Sequence, residues 1–151
     1  MIEVRLTIED DVPTLARIVS ENYSRAFAEY FVPECGCSFT TYPWKPHFYT
    51  AISDGVIVGC ACYVASWISW GTYSLAWVNT SRFYRRLGVG RALVDRCLND
   101  ISSIGSLVTL STSVPDFYER NWGFKTLQEF FDHHGDSYSM MSLQLKEGRH
   151  P

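Results

Sequence analysis

Arg85, Gly88 and Gly90 spell Arg-x-x-Gly-x-Gly, and Arg82, Arg86 and Arg91 crowd the same stretch. Ahead of it, Tyr73 to Thr80 is a run of apolar and β-prone residues, and behind it an amphipathic helical pattern begins. A strand that feeds a glycine turn and then opens a helix is an anion site. The first amides of a helix have no partner in their own helix, and the aligned peptide dipoles add partial positive charge there. Glycines at 88 and 90 remove the side chains that would hold an anion away from those amides. Cations at a helix N-terminus oppose the dipole, so this cluster makes sense when an anion joins it. A pyrophosphate suits such donors, with Arg85, Arg86 and Arg91 placed to pair with its oxygens. Arg82 and Arg96 read as solvated surface charges.

Other phosphate folds do not fit. The chain has no Gly-x-x-x-x-Gly-Lys-Ser/Thr loop. It also lacks an early Gly-x-Gly-x-x-Gly followed by an acidic residue in a βαβ unit.

The elements around the turn follow from periodicity. Ile2 to Leu6 alternates as a strand. Thr7-Ile8-Glu9-Asp10 offers a capping hydroxyl with a carboxylate three residues on, and Val12, Leu15, Ile18 and Val19 continue at helical spacing. Residues 24–32 suit a second helix, and Pro33 to Pro46 reads as an irregular loop. Phe48–Ser53 and Val56–Ala65 are strands joined by the tight hairpin signal Asp54-Gly55. Beyond the glycine turn, Leu93, Val94, Cys97, Leu98 and Ile101 make one apolar stripe, with Gly105 as terminator. Leu107–Ser111 is a short buried strand, Pro115 opens a short helix, and strands at 124–131 and 137–145 flank a turn at His133-His134-Gly135-Asp136. The order β-α-α-β-β-β-α-β-α-β-β indicates an α/β chain of the α+β type with a mixed sheet.

A second cluster, Phe117-Tyr118-Glu119-Arg120-Asn121-Trp122-Gly123-Phe124, lies about one helix and one strand downstream of the glycine turn. In order and spacing the two clusters resemble the GNAT superfamily of acyl-CoA-dependent N-acetyltransferases. Arg85, Gly88 and Gly90 match its Gln/Arg-x-x-Gly-x-Gly/Ala pyrophosphate signature at the end of the fourth strand. The aromatic cluster looks like its Phe-Tyr…Gly-Phe segment. The resemblance runs from about Met1 to Leu145 and implies a mainly antiparallel sheet flanked by helices. It implies one domain, residues 1–145, with 146–151 as a frayed tail.

The resemblance also implies a donor and a reaction. Acetyl-CoA would lie along the backbone of Val78, Asn79 and Thr80, its pyrophosphate on Arg85, Arg86, Leu87, Gly88, Val89, Gly90, Arg91 and Ala92. A primary amine would attack the thioester directly in a ternary complex. Tyr118 would meet the leaving thiolate. Phenol and thiol pKa values near ~10 and ~8.5 make full proton transfer uphill by roughly 2 kcal/mol, so a hydrogen bond is the expected contact. A general base is missing where relatives carry a glutamate: residues 73–80 and 106–112 contain no carboxylate or histidine. Glu34, His47, Asp116, Glu119, His133 and His134 remain, none placed by a motif. The aromatics of 31–49 and 67–73 correspond to regions that border the acceptor cleft in the family, although core packing accounts for at least half of them. A protein N-terminus, a polyamine, an aminoglycoside or a small metabolite all stay open as acceptors. A CoA-binding module that lost turnover is the rival reading.

Composition narrows the setting. Of the 151 residues 46% are apolar and 15% aromatic, enough for a core and against disorder. A net charge of −3 argues against nucleic-acid binding. No apolar run reaches the length of a membrane span, and the N-terminus has no signal-peptide pattern. Cys35, Cys37, Cys60, Cys62 and Cys97 leave one thiol over in any pairing, so reduced thiols and a cytoplasmic setting are expected. The resemblance places no reacting group at any of these cysteines, which implies a reaction without an acyl-cysteine intermediate. The Cys35-Gly36-Cys37 spacing is too short and too solitary for a metal site. Edge strands near the C-terminus suit a homodimer.

Overall fold

The computed structural model describes residues 1–145; the expected frayed tail, 146–151, lies outside them. Strands β1 (Ile2–Leu6), β2 (His47–Ser53), β3 (Val56–Ala65), β4 (Thr72–Thr80), β5 (Leu107–Thr112), β6 (Lys125–Phe131) and β7 (Ser137–Gln144) form one sheet. Their order is β1-β2-β3-β4-β5-β7-β6. Every pairing is antiparallel except β4 with β5. The helices are α1 (Val12–Asn22), α2 (Arg25–Ala28), α3 (Phe31–Cys37), α4 (Val89–Ser102) and α5 (Pro115–Trp122). None of the described helices is long and apolar enough to cross a membrane.

The sheet is covered on both faces, and strand periodicity sorts the residues between two cores. Cys60 and Cys62 join Leu15, Ile18, Val19, Phe31, Cys35 and Phe48 on the α1 side. Ala61 and Tyr63 join Leu93, Val94, Cys97, Leu98 and Ile101 of α4 on the other. The apolar stripe expected on α4 is therefore the face it buries. A cluster of hydrogen bonds pins that helix to the sheet. The Tyr49 hydroxyl donates to the Asp100 carboxylate, and the Tyr63 hydroxyl reaches the same oxygen at 3.4 Å. Burial first, and then Asp100, push Tyr49 up to about 12, so it stays a donor. Arg96 is part of this cluster, 3.6 Å from Asp100 and 4.7 Å above the Tyr49 ring, and not a freely solvated charge.

Three local expectations are corrected. The helix expected over 24–32 is two short helices, and α3 extends through Pro33 into the stretch read as loop. Pro33 sits in the first turn of α3, where a missing N–H breaks no helical bond, and Phe31 and Cys35 anchor the helix from one face. The Thr7 hydroxyl does not cap α1; it bonds to the Thr50 hydroxyl at 2.8 Å. Asp11 instead accepts the Ile8 N–H at 2.9 Å and two bonds from Arg5 at 2.7 and 3.0 Å. Gly105 ends its helix without a left-handed cap. Its N–H bonds to Ile101 O at 2.7 Å, and glycine is needed because a Cβ would lie 2.7 Å from the Tyr73 ring and 2.8 Å from Gly71 O. The Asp54-Gly55 hairpin is as expected, both residues having positive φ, 49° and 80°.

Two glycines separate the constraint of packing from that of helix propensity. A Cβ on Gly59 would fall 2.4 Å from Asn79 O and 3.0 Å from Val89, beneath α4, whereas a Cβ on Gly36 meets nothing within 4 Å. Gly59→Ala is expected to lower stability by at least about 2 kcal/mol through overpacking. Gly36→Ala is expected to raise it by roughly 0.4–1 kcal/mol. Urea unfolding of the two variants measures both signs.

Candidate active site

The site begins where two strands separate. β4 pairs with β5 only at Thr72–Leu107, Tyr73–Val108 and Ser74–Thr109. Beyond that point β5 continues against β7 as far as Thr112–Ser139, and β4 continues against β3 alone. A bulge helps to turn β4 away. Cys62 faces Ala76 and Cys60 faces Asn79, so Ala61 alone opposes both Trp77 and Val78. Trp77 carries the strain, with φ at 52°. The bulge puts Trp77 and Asn79 on the α1 side; Thr80 lies toward α4, its Oγ1 3.7 Å from where a Cβ on Gly90 would stand.

Between the parted strands lies an open cleft of about 840 Å³. Its walls are Asn22 and Tyr23 at the end of α1, Val78, Asn79 and Thr80 of β4, and Arg85, Arg86, Gly88, Val89, Gly90 and Arg91 of the glycine turn and α4. Ser113 to Tyr118 and Arg120 close it from the β5–α5 side. The twelve residues singled out in the sequence thus come together except for two. Leu87 and Ala92 are outside the lining, Leu87 exposed and Ala92 with its N–H committed to Gly88 O at 3.0 Å.

The turn itself has the geometry of an anion cradle. Arg86 and Gly88 are both left-handed, at φ 64° and 84°. Gly88 is the residue before α4 and offers no capping side chain, so the N–H groups of Val89, Gly90 and Arg91 precede the first helical bond. Arg85, Arg86 and Arg91 line the cleft on the side of those amides, Arg120 lines it from α5, and among the described residues Asp116 is the cleft's carboxylate. Arg85 is already engaged, its guanidinium donating to Asn22 Oδ1.

Tyr118 stands in the opposite wall, 6% exposed, among the rings of Phe117, Trp122 and Phe124. Its hydroxyl makes no hydrogen bond among the described residues. Burial raises its pKa well above that of an ordinary phenol, and Tyr23 and Cys97 add to the effect. At neutral pH it is a proton-bearing donor.

The other groups weighed from sequence disperse. Glu34 accepts from Trp77 Nε1 at the outer surface. His47 stacks on Tyr63 at 4.8 Å and is pushed down by burial. Glu119, His133 and His134 are exposed, and of the six candidate bases Asp116 lines the cleft. Cys35, Cys60, Cys62 and Cys97 are buried with raised pKa values, Cys35 at about 11, burial being the leading cause. No cysteine lines the cleft. Of the aromatics, Phe31, Phe48 and Tyr49 are core. Tyr42, Trp44, Trp67, Trp70 and Tyr73 line a separate groove of about 650 Å³. Sequence reading missed Asn22, Tyr23 and Arg120. Arg120 lies inside the second cluster and was within reach; Asn22 and Tyr23 sit at the end of a helix with no motif to mark them.

Comparison with known proteins agrees with this geometry. No curated protein matches the chain. Among solved structures, a GNAT-family protein from Desulfovibrio desulfuricans superposes with a TM-score of 0.85 at 22% identity, over 97% of this chain and 100% of that one. A Salmonella typhimurium protein solved with its cofactor acetyl-CoA gives 0.76 at 14% identity, over 100% and 98% of the two chains. An aminoglycoside 6'-N-acetyltransferase complexed with coenzyme A gives 0.75 at 14% identity, over 98% and 99%. At these identities the likeness establishes the fold. The acetyltransferase (GNAT) family model matches residues 12–124, most of the chain, and the protein is therefore a member of the GNAT family of N-acetyltransferases.

Proposed function

We propose that this enzyme transfers an acetyl group from acetyl-CoA to a primary amine by direct attack within a ternary complex. The observation that carries the reading is one cleft in which the free edge of β4, the uncapped amides of α4 and a buried phenol face each other. Val78, Asn79 and Thr80 offer backbone to the pantetheine arm and to the acyl carbonyl. The amides of Gly88 to Arg91, with Arg85, Arg86 and Arg91, take the pyrophosphate.

The chemistry balances without a covalent enzyme intermediate. The neutral amine's lone pair forms the C–N bond, charge collects on the acyl oxygen, and the C–S bond breaks as the carbonyl re-forms. The thiolate leaves hydrogen-bonded to the Tyr118 hydroxyl. Because burial raises Tyr118 further above a thiol, the phenol keeps its proton and the thiolate is protonated later from solvent. The amine's proton leaves to water through the open cleft. That no thiol lines the cleft supports direct attack over an acyl-cysteine route.

A second reading has one observation in its favour. β4 and β5 carry no carboxylate or histidine, and among the described residues Asp116 alone supplies a carboxylate to the lining. A CoA-binding module without turnover would look the same there. Thiol release from acetyl-CoA over a panel of amines separates the two: the enzyme releases CoA with a subset of amines, and the module binds without release.

Two variants probe the parts of the site. Tyr118→Phe is expected to lower turnover by up to ~100–1000-fold, the range for a single lost donor, with little change in the acetyl-CoA Michaelis constant. Unchanged turnover removes Tyr118 from the mechanism. Gly88→Asp places a carboxylate beside the anion-binding amides at a left-handed position. It should abolish acetyl-CoA binding in calorimetry while the circular dichroism spectrum stays that of the wild type; wild-type affinity would refute the role of the turn.

A further inference from the structure

Two adjacent residues at the end of α1 grip the segment that leads into the glycine turn, and neither takes part in the acetyl-transfer steps. Glu21 Oε2 accepts the Arg82 N–H at 3.0 Å and the Ser81 hydroxyl at 3.5 Å. It thereby caps the single turn Arg82–Tyr84, for which the preceding Ser81 supplies no capping bond. The other Glu21 oxygen takes Arg17 at 2.9 Å, so this carboxylate's charge is matched within α1. Asn22 reaches three groups at once. Its Nδ2 donates to Asn79 Oδ1 at 3.0 Å and to Thr80 O at 3.2 Å, and its Oδ1 accepts from the Arg85 guanidinium. The helix behind them is fixed, because Leu15, Ile18 and Val19 are fully buried. Residues 85–88, by contrast, are exposed.

The acceptor that holds Arg85 carries no charge. An arginine side chain is long and flexible, and fixing its guanidinium before an anion arrives lowers the cost of binding. A carboxylate would hold it more firmly but would also neutralise it. Asn22 offers a neutral carbonyl oxygen, occupies one N–H of the guanidinium, and leaves its charge and remaining donors for a ligand. Asn22 and Arg85 both line the cleft, so the held group stands at its wall. We propose that Asn22 is a positioning residue for the coenzyme's pyrophosphate, holding Arg85 at the cleft while Glu21 fixes the backbone that enters the turn. This rests on the acetyl-CoA reading, and adds to that site a determinant 63 residues earlier in the chain than Arg85.

The test uses the full chain and reads acetyl-CoA affinity by calorimetry in a double-mutant cycle of Asn22 and Arg85. Asn22→Ala is expected to weaken binding roughly 5–10-fold, the scale of ordering one long side chain. In an Arg85→Ala background the same substitution should change affinity by less than about 2-fold, because its effect runs through Arg85. Asn22→Asp keeps an oxygen against Arg85 but adds a charge, so it should bind acetyl-CoA no better than Asn22→Ala. A second readout separates positioning from a general loosening of β4. S-acetylpantetheine carries the thioester arm without the pyrophosphate. Thiol release from it, with the best amine of the panel, should be equal in Asn22→Ala and wild type. With acetyl-CoA the variant's Michaelis constant should rise while turnover at saturation holds. Wild-type affinity in either Asn22 variant, an equal loss with and without Arg85, or a parallel loss with S-acetylpantetheine overturns the proposal and leaves the acetyl-CoA site standing. If the wild type binds without releasing thiol, the affinity cycle alone decides. A wild type that does not bind acetyl-CoA removes the reading beneath it.

Discussion

β4 and β5 share a ladder for three residue pairs and then part, and the peptide groups beyond Ser74 lose a strand partner on that edge. Peptide groups away from water must be paired, so a strand edge opened inside a fold is a place where something else must bind or water must enter. The rest of the molecule follows from keeping that opening in place. The bulge at Trp77 and Val78 bends β4 out, the pairing of β5 with β7 holds the other lip, and α4 starts directly at the mouth. The Tyr49–Tyr63–Asp100 cluster fixes the far end of α4, so the near end presents its amides at a set position.

Electrostatics gives the cleft two unlike ends. At the α4 end, uncapped amides and three arginines make a region that favours multiple negative charges. At the inner end, Tyr118 is a buried phenol held in the protonated form, and the half-buried Tyr23 shares the lining. The first end suits an anion that is held throughout a reaction. The second suits charge that appears and disappears during it, because neutral donors lose little when no charge is present.

The fold was legible because its signals are local. Gly88 and Gly90 after Tyr73–Thr80, the stripe from Leu93 to Ile101, and the Asp54-Gly55 hairpin each carry their meaning within a few residues. The glycine turn and Tyr118 were readable for the same reason, as two motifs at a fixed separation. What escaped depends on partners far along the chain. Asn22 meets Asn79 across 57 residues, and the Trp77 bulge is visible only in the register of β4 against β3. α3 was hidden by Pro33, a helix breaker harmless in a first turn. Gly105 was read as a cap when the constraint is the ring of Tyr73 lying against it.

The central claim is that the cleft at the parting of β4 and β5 binds acetyl-CoA. Calorimetric titration of the purified protein with acetyl-CoA, free CoA and ATP tests it most directly. Saturable one-site binding of acetyl-CoA and CoA, with ATP silent, is expected. Silence with all three from a protein shown to be folded would contradict it, and the uncapped helix and its arginines would then need a different anion.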